Sequence, residues 1–151
     1  GADEALAAYR RALEEGLDRP GLLQPYPEVP AVLDRLRAEG YRLGIVSNWS
    51  WNLRRRVQGA GLDEYFELVW GSAYAGCHKP HPCIFSQALA QMKLEPARVL
   101  YAGDSYRHDV LGARGAGLAA VLVDRKDGAA ARDCPVIADL RGVLSLLDGQ
   151  P

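Results

Sequence analysis

Several features that would indicate a specialised environment are scarce or absent in this 151-residue sequence. There are only three cysteines, a sparse and odd set for a fold that depends on disulfides, so reduced thiols and a cytoplasmic location are expected. A net charge of -1 argues against the basic surface that a nucleic-acid partner requires. No apolar run approaches the length of a membrane span, and the charged, Ala-rich beginning is unlike a secretory signal.

The composition that remains is that of an ordinary globular protein. With 48% hydrophobic and 25% charged residues, the chain can form one domain with a substantial core. Residues 2–16 favour a helix, and the segment "LDRPGLLQPYPEVP" that follows contains four prolines and a glycine, which is typical of a linker. The core is therefore predicted to begin near residue 23 and to continue to residue 151.

Beyond the linker, short apolar segments rich in β-branched residues alternate with helical segments. Such alternation predicts βαβ units and a parallel sheet covered by helices on both faces, which places the core in the α/β class. The predicted helices span 27–40, 51–61, 82–94, 105–117 and a closing segment, and the predicted strands span 41–47, 66–71, 98–104, 118–124 and part of 134–140.

Polar residues follow three of the predicted strands, at the carboxyl ends where parallel α/β sheets bind ligands. Ser47 and Asn48 follow the first strand, and Lys79 comes after the second. Asp104 follows the third strand, with Asp109 five residues further on. A serine hydroxyl, backbone amides and a lysine can bind a phosphate group. Two carboxylates can hold Mg²⁺, which favours one or two carboxylates together with waters and substrate phosphate.

Each of these residues also has a purely structural interpretation. Ser47 could cap a helix, and Lys79 could be a solvated charge. Asp104 could be an N-cap, and Asp109 could complement a helix dipole. Their combination, in chain order and at successive strand ends, favours a site that stabilises a phosphoryl group in transfer.

Three segments carry a family resemblance. "YRLGIVSN" (41–48), "KPHPCIF" (79–85) and "VLYAGDSYRHDVLGARGAGL" (99–118) resemble the second, third and fourth motifs of the haloacid dehalogenase superfamily. The resemblance implies a Rossmann-like core over residues 23–151, preceded by a remnant helix of a helical cap within residues 1–22. It also implies a Mg²⁺-dependent hydrolase, most simply a phosphatase of a small phosphorylated metabolite.

The resemblance also assigns roles to the residues at the strand ends. By this comparison, Ser47 binds the transferring phosphate with help from the Asn48 backbone. Lys79 pairs with the phosphate and with the nucleophile. Asp104 is a Mg²⁺ ligand. Asp109 supports the metal, directly or through water, and is a candidate for orienting Lys79.

The stretch "GCHKPHPCIF" suggests an alternative, a zinc site around Lys79. The potential ligands are Cys77, His78, His81 and Cys83. Their spacing differs from the two separated knuckles of a structural zinc motif. The same stretch follows the lysine loop of the superfamily, so the lysine is favoured as the functional residue and the zinc site is disfavoured.

Two features close to Ser47 have more than one interpretation. Trp49 and Trp51 could line a pocket for the leaving group of a substrate or pack against a covering element. Residues 54–56 are three consecutive arginines. Such a run on a helix is more typical of a solvated face than of a binding surface for a phosphorylated ligand. No pattern in the sequence indicates an oligomeric state.

The first motif of the superfamily, DxDx[TV], is absent from the sequence. In the superfamily its first Asp is the nucleophile, its second is the general acid/base, and its strand lies at the sheet centre. The chain is therefore expected to be the C-terminal part of a longer hydrolase and to be inactive alone. The alternative is a non-catalytic protein that retains a phosphate and metal pocket. A true dehalogenase is disfavoured because those enzymes use no metal and lack the GDSxxxD form.

Overall fold

A computed structural model of the chain describes residues 4, 7, 23–126, 128 and 133–149. Glu4 and Ala7 are helical, and the rest of the predicted cap helix and residues 17–22 of the linker lie outside the described residues. The division between residues 22 and 23 thus stays a prediction. Within the described ranges, no helix combines the length and the apolar character that crossing a bilayer requires.

The elements are numbered in chain order. The helices are α1 (Val29–Ala38), α2 (Leu53–Gly59), α3 (Ser72–Ala75), α4 (Pro82–Met92), α5 (Gly112–Gly115) and α6 (Arg141–Asp148). The strands are β1 (Gly44–Ser47), β2 (Leu68–Gly71), β3 (Leu100–Gly103), β4 (Ala119–Val123) and β5 (Val136–Ile137). Two 3₁₀ turns, Asp63–Tyr65 and Pro96–Arg98, and a π-helical turn, Tyr106–Leu111, complete the described structure.

The predicted alternation of strands and helices is confirmed, apart from the short helix α3, which was not predicted, and two differences in the predicted elements. The strands are shorter than predicted, because pairing extends only as far as a neighbouring strand is present; β1 begins at Gly44, opposite the first residue of β2. The predicted helix 105–117 is divided into the π-helical turn and α5. The amides of Asp109 and Val110 both donate to the carbonyl oxygen of Ser105, at 2.8 and 3.2 Å, which widens this turn.

All the strand pairs are parallel, as predicted, but the strands form two sheets. β1 pairs with β2, and β3, β4 and β5 pair in that order. β1 and β3 each have one edge that faces the other strand. Among the described residues, no strand pairs with either of these two edges. Contact there is made by a side chain: the Tyr101 hydroxyl on β3 donates to the carbonyl oxygen of Val46 on β1 at 2.8 Å.

The main core lies around α4, which contacts both sheets. Phe85 and Ile84 on this helix are fully buried, and the cluster around them includes Val46 of β1 and Leu122 of β4. Each sheet also has a smaller cluster of its own. Beside β1 and β2 the buried members are Leu53, Val57 and Val69, and beside β4 and β5 they are Val121, Ile137 and Val143.

Helix α1 is a second connection between the parts of the molecule that contain the two sheets. Pro30 fits its first turn, where a missing amide hydrogen costs nothing, and Gly40 follows its end with φ +85°. The Tyr65 hydroxyl, beside the first sheet, donates to Asp34 at 2.8 Å. Glu28, at the start of α1, pairs at 2.7 Å with Arg125, which follows β4.

Candidate active site

Three of the predicted site residues, Asn48, Lys79 and Asp109, are linked by contacts at the carboxyl ends of β1 and β3. Ser47 is the last residue of β1, and Asp104 follows β3 directly. Lys79 lies on the loop that precedes α4, and its ammonium group reaches the Asp109 carboxylate at 2.6 Å. The two side chains are only 11% and 5% exposed. The other Asp109 oxygen accepts a hydrogen bond from the Ser105 amide at 2.9 Å. Asp109 is therefore engaged on both oxygens and fixes the position of the lysine charge.

Tyr101 is a site residue that the sequence analysis did not identify. Its hydroxyl accepts a hydrogen bond from the Lys79 ammonium at 3.0 Å and lies 3.3 Å from the Asp109 carboxylate. Burial raises the pKa of Tyr101 far above its ordinary value, and the nearby Asp109 carboxylate raises it further. The hydroxyl thus stays protonated and donates to the Val46 carbonyl while it accepts from the lysine.

Asn48 fixes the backbone of the lysine loop. Its side-chain oxygen accepts from the Lys79 amide at 2.7 Å, and its side-chain NH₂ donates to the Lys79 carbonyl at 3.0 Å. One carboxamide thereby satisfies both backbone groups of the same residue. The end of β1 and the lysine loop are held in register over a sequence separation of 31 residues.

Two glycines allow the close packing that this arrangement requires. A Cβ on Gly103, the last residue of β3, would overlap the Asp109 side chain. A Cβ on Gly112 would lie 3.0 Å from Pro80 Cα, in the lysine loop, and 2.9 Å from the Phe85 ring. Both positions need glycine for space, since neither has a positive φ.

Asp104 and Asp109 differ in what they can bind. Asp104 is exposed directly after β3, and in the part of the chain that the structure describes its carboxylate makes no hydrogen bond or ion pair. It is free to bind a cation, whereas both Asp109 oxygens are already engaged. Over the described ranges, no group of three or more His, Cys, Asp or Glu side chains is arranged to hold a metal. A Mg²⁺ ion would fit beside Asp104 only with further oxygen ligands from water and substrate.

The cysteines and histidines around Lys79 have other contacts. Cys77 and Cys83 form a disulfide, so the expectation of reduced thiols is wrong for these two residues; Cys134 is free. The fold brings their Cα atoms to 6.4 Å, which a count of cysteines does not reveal. His81 caps α4, its ring nitrogen accepting from the Cys83 amide at 3.1 Å. A His78 ring nitrogen lies 3.1 Å from the Lys79 carbonyl.

An open cavity of about 630 Å³ lies beside Asn48. Its lining residues are Asn48, Trp49, Ser50, Ser72, Ala73, Gly76, Cys77 and His78. The Trp49 amide donates to the Ser72 hydroxyl at 3.1 Å, and the Trp49 indole NH donates to Asn52 at 3.0 Å. Trp51 is not among the lining residues and contacts Tyr74 edge to face at 5.0 Å. Of the two tryptophans, Trp49 is thus the one placed to contact a molecule in the cavity.

Comparison with known proteins identifies the family. Residues 2–123 match the family model described as haloacid dehalogenase-like hydrolase. The chain belongs to this family. The superfamily resemblance of the three motifs is thereby confirmed, and so is the Rossmann-like fold, since the chain superposes on a HAD phosphatase from Thermococcus onnurineus with a TM-score of 0.85. That similarity has 33% sequence identity and covers 91% of this chain and 65% of the other.

Relatives in the haloacid dehalogenase-like family include named phosphatases. The chain is 38% identical to a phosphoserine phosphatase of Thermus thermophilus, over 92% of its own length and 57% of the relative's. It is 36% identical to a glyceraldehyde 3-phosphate phosphatase of Methanothermobacter thermautotrophicus, over 74% of its length and 50% of the relative's. It also resembles a 2-haloacid dehalogenase structure from Pseudomonas syringae, with a TM-score of 0.85 and 27% identity, over 98% of this chain and 64% of that one. The chain spans about half the length of the curated relatives it matches.

Proposed function

We propose that the chain is part of a Mg²⁺-dependent phosphatase that acts on a small phosphorylated metabolite. The observation that carries the proposal is the buried Lys79 ammonium, held by Asp109 at 2.6 Å at the strand ends where ligands bind in this fold. A fixed positive charge in a partly buried site is suited to stabilise a phosphoryl group, because it needs no reorganisation during the reaction. The named activities of two relatives, on phosphoserine and glyceraldehyde 3-phosphate, support a small phosphate monoester as substrate.

Within this proposal each residue has a separate task. The Ser47 hydroxyl and the Asn48 backbone bind phosphate oxygens, and Lys79 neutralises part of their charge. Asp104 holds Mg²⁺, which when bound supplies further positive charge to the phosphate. Asp109 acts by orienting Lys79 and supports the metal through water, since its own oxygens are engaged.

The nucleophile is proposed to lie on a strand outside this chain, between β1 and β3. The Tyr101 side chain and a hydrogen bond of 2.8 Å together connect these two edges. β1 and β3 belong to different sheets, and among the described residues no strand pairs with the edges that face each other, which supports a further strand at this position. A strand in this position would place its carboxyl end among Ser47, Lys79 and Asp104. An Asp there would attack the phosphorus and form an aspartyl-phosphate, which water would then hydrolyse.

The alternative function is a non-catalytic phosphate-binding or interaction domain. It rests on the absence of a DxDx[TV] sequence from the chain. The two functions differ in whether a supplied nucleophile strand restores turnover. A cytoplasmic location and the exclusion of nucleic-acid and membrane partners stay predictions from composition.

A chimaera tests the proposal. The segment of the Thermus thermophilus phosphoserine phosphatase that precedes its match to this chain would be joined ahead of residue 1 and assayed with phosphoserine, glyceraldehyde 3-phosphate and other phosphate monoesters. We expect Mg²⁺-dependent release of phosphate that falls about a hundredfold or more in Lys79→Ala and in Asp104→Asn. Lys93→Ala, at an exposed lysine after the end of α4 that is opposite the lysine loop, is the matched control and should keep full activity.

Two results would contradict the proposal. A folded chimaera with no turnover on any phosphate ester would favour the non-catalytic alternative. Mg²⁺-dependent hydrolysis by the 151-residue chain alone, lost in Asp104→Asn, would show that the nucleophile is not external.

A further inference from the structure

We propose that Cys77 and Cys83 are a reversible thiol–disulfide pair that controls how firmly the Lys79 loop is held. The two sulfur atoms are bonded, and the Cα atoms are 6.4 Å apart. Their sequence separation is six residues, and Lys79 and Pro80 lie between them. The bond therefore closes a small covalent ring of the chain, and this ring contains the residue that carries the positive charge of the site.

The position of Cys83 favours thiol exchange. It lies in the first turn of α4, where the amide groups and the helix dipole favour an anion. The side-chain NH₂ of Gln87, one turn further along, is 3.3 Å from the Cys83 sulfur and also donates to the Ala75 carbonyl at 3.1 Å. Both features stabilise a thiolate, which is the nucleophile in disulfide exchange.

Both cysteines are only partly buried, so a small reagent can reach them. Cys77 also lines the open cavity beside Asn48, which gives a route from solvent. Cys134 is partly buried as well but has no disulfide partner, so it serves as an internal reference.

The exchange balances with a small-molecule disulfide as oxidant, such as oxidised glutathione. The Cys83 thiolate attacks one oxidant sulfur, releases one thiol and forms a mixed disulfide. The Cys77 thiolate then attacks the Cys83 sulfur and releases the second thiol. The protein loses two protons and two electrons, and the oxidant becomes two thiols. A small-molecule thiol reverses both steps.

The redox state is expected to change the mobility of Lys79 because the disulfide is one of the constraints on its loop. The others include the paired hydrogen bonds from Asn48, the cap that His81 provides to α4 and the ion pair between Lys79 and Asp109. Reduction removes one covalent constraint and leaves the hydrogen bonds. The consequence for phosphate binding rests on the function proposed above, whereas the consequence for the loop does not.

The first experiment measures the pairing. The chain would be equilibrated in glutathione buffers from reducing to oxidising, its free thiols alkylated, and each cysteine quantified by peptide mass spectrometry. We expect Cys77 and Cys83 to lose alkylation together and to appear as one cross-linked species, while Cys134 remains alkylated. Cys134→Ser should leave this transition unchanged, and Cys83→Ser should abolish it. Absence of the cross-link under oxidising conditions would overturn the proposal.

The second experiment measures the loop. The rate at which an amine-reactive acylating reagent modifies Lys79 would be compared in the oxidised and the reduced chain. The exposed Lys93 would be the internal standard. We expect Lys79 to react several-fold faster after reduction, and Lys93 to react at an unchanged rate. The Cys83→Ser variant should show the fast rate under both conditions, with circular dichroism confirming that it is folded. Equal Lys79 rates in both states would overturn the control of the loop. Neither readout depends on phosphatase turnover, so this proposal and the proposed function can fail separately.

Discussion

The two sheets of the molecule are joined by two kinds of contact. On one side, α4 places Phe85 and Ile84 in a cluster shared by both sheets, with almost no exposed surface. At the carboxyl ends, Lys79, Tyr101 and Asn48 connect the same sheets through hydrogen bonds and one ion pair. The apolar contact buries side chains of both sheets, and the polar contact determines where the charges lie. The difference teaches that substitutions in the two contacts should differ in how much they lower stability and how much they change the geometry of the site.

Removing the apolar connection should have the largest effect. Phe85→Ala deletes a ring that is 1% exposed and that contacts the Tyr101 ring edge to face at 5.1 Å. We expect the free energy of unfolding to fall by about 4 kcal/mol, measured by urea denaturation, because a large cavity remains. Leu111→Ala, at a site 45% exposed, should cost less than about 0.5 kcal/mol. A similar loss for the two variants would mean that α4 does not join the sheets.

The two aspartates allow a sharper test of the polar connection, because the same substitution can be made at both. Asp109→Asn removes the charge partner of a lysine that is only 11% exposed, and we expect a loss of about 3 kcal/mol in the free energy of unfolding. Asp104→Asn changes an exposed carboxylate and should cost less than about 0.5 kcal/mol. Thermal or urea denaturation of both variants measures the difference. Equal losses would show that Asp109 is not the buried partner of Lys79.

The loop contact should matter less for stability than for geometry. Asn48→Ala removes two hydrogen bonds to the Lys79 backbone, of 2.7 and 3.0 Å, from an exposed side chain. We expect a loss of about 1.5 kcal/mol in the free energy of unfolding, together with faster hydrogen exchange at the Lys79 amide. Asn52→Ala is the control, since Asn52 is bonded to Trp49 rather than to Lys79. Unchanged exchange at Lys79 in Asn48→Ala would contradict this role.

The smallest effect is expected at α1, the second connection between the parts of the molecule that contain the two sheets. Burial raises the pKa of Glu28 while its hydrogen bond to Arg125 lowers it, and the net result is a pKa below the ordinary value of 4.5. The stabilisation is therefore fully present above pH 4.5 and is lost as the pH falls through the lower folded-state pKa. We expect Glu28→Gln to cost up to about 1 kcal/mol at pH 7 and nothing in strong acid.

Urea denaturation of Glu28→Gln at several pH values measures this dependence. The same change at Glu67, in the more exposed pair with Arg42, should have a smaller effect at every pH. A cost at Glu28 that does not vary with pH would exclude the ion pair as its cause.

The sequence was sufficient to predict the carboxyl ends of β1 to β4 to within one residue. A parallel α/β pattern brings those ends to one edge of a sheet, so polar residues that follow them are expected to lie near one another. Lys79 and Asp109 are in contact, and the role of Asp109 in orienting the lysine stays a prediction. Tyr101 was not predictable, since a tyrosine within an apolar strand suggests only a core residue. The pairing of Cys77 with Cys83 also depends on distances that the fold sets. The separation into two sheets could not be predicted, because the sequence pattern does not show which strands lie next to each other.

The Asn48 contact separates the shape of the lysine loop from its chemistry. Asn48 binds the amide and the carbonyl of residue 79 and leaves the side chain alone. Any residue except proline presents the same two backbone groups, so these two hydrogen bonds do not depend on the identity of the side chain at this position. Arginine, histidine or glutamine could be introduced at 79 and would be presented from the same backbone. These two hydrogen bonds thus hold the loop backbone whichever side chain it carries, which makes residue 79 a natural starting point for engineering a different charge into the site.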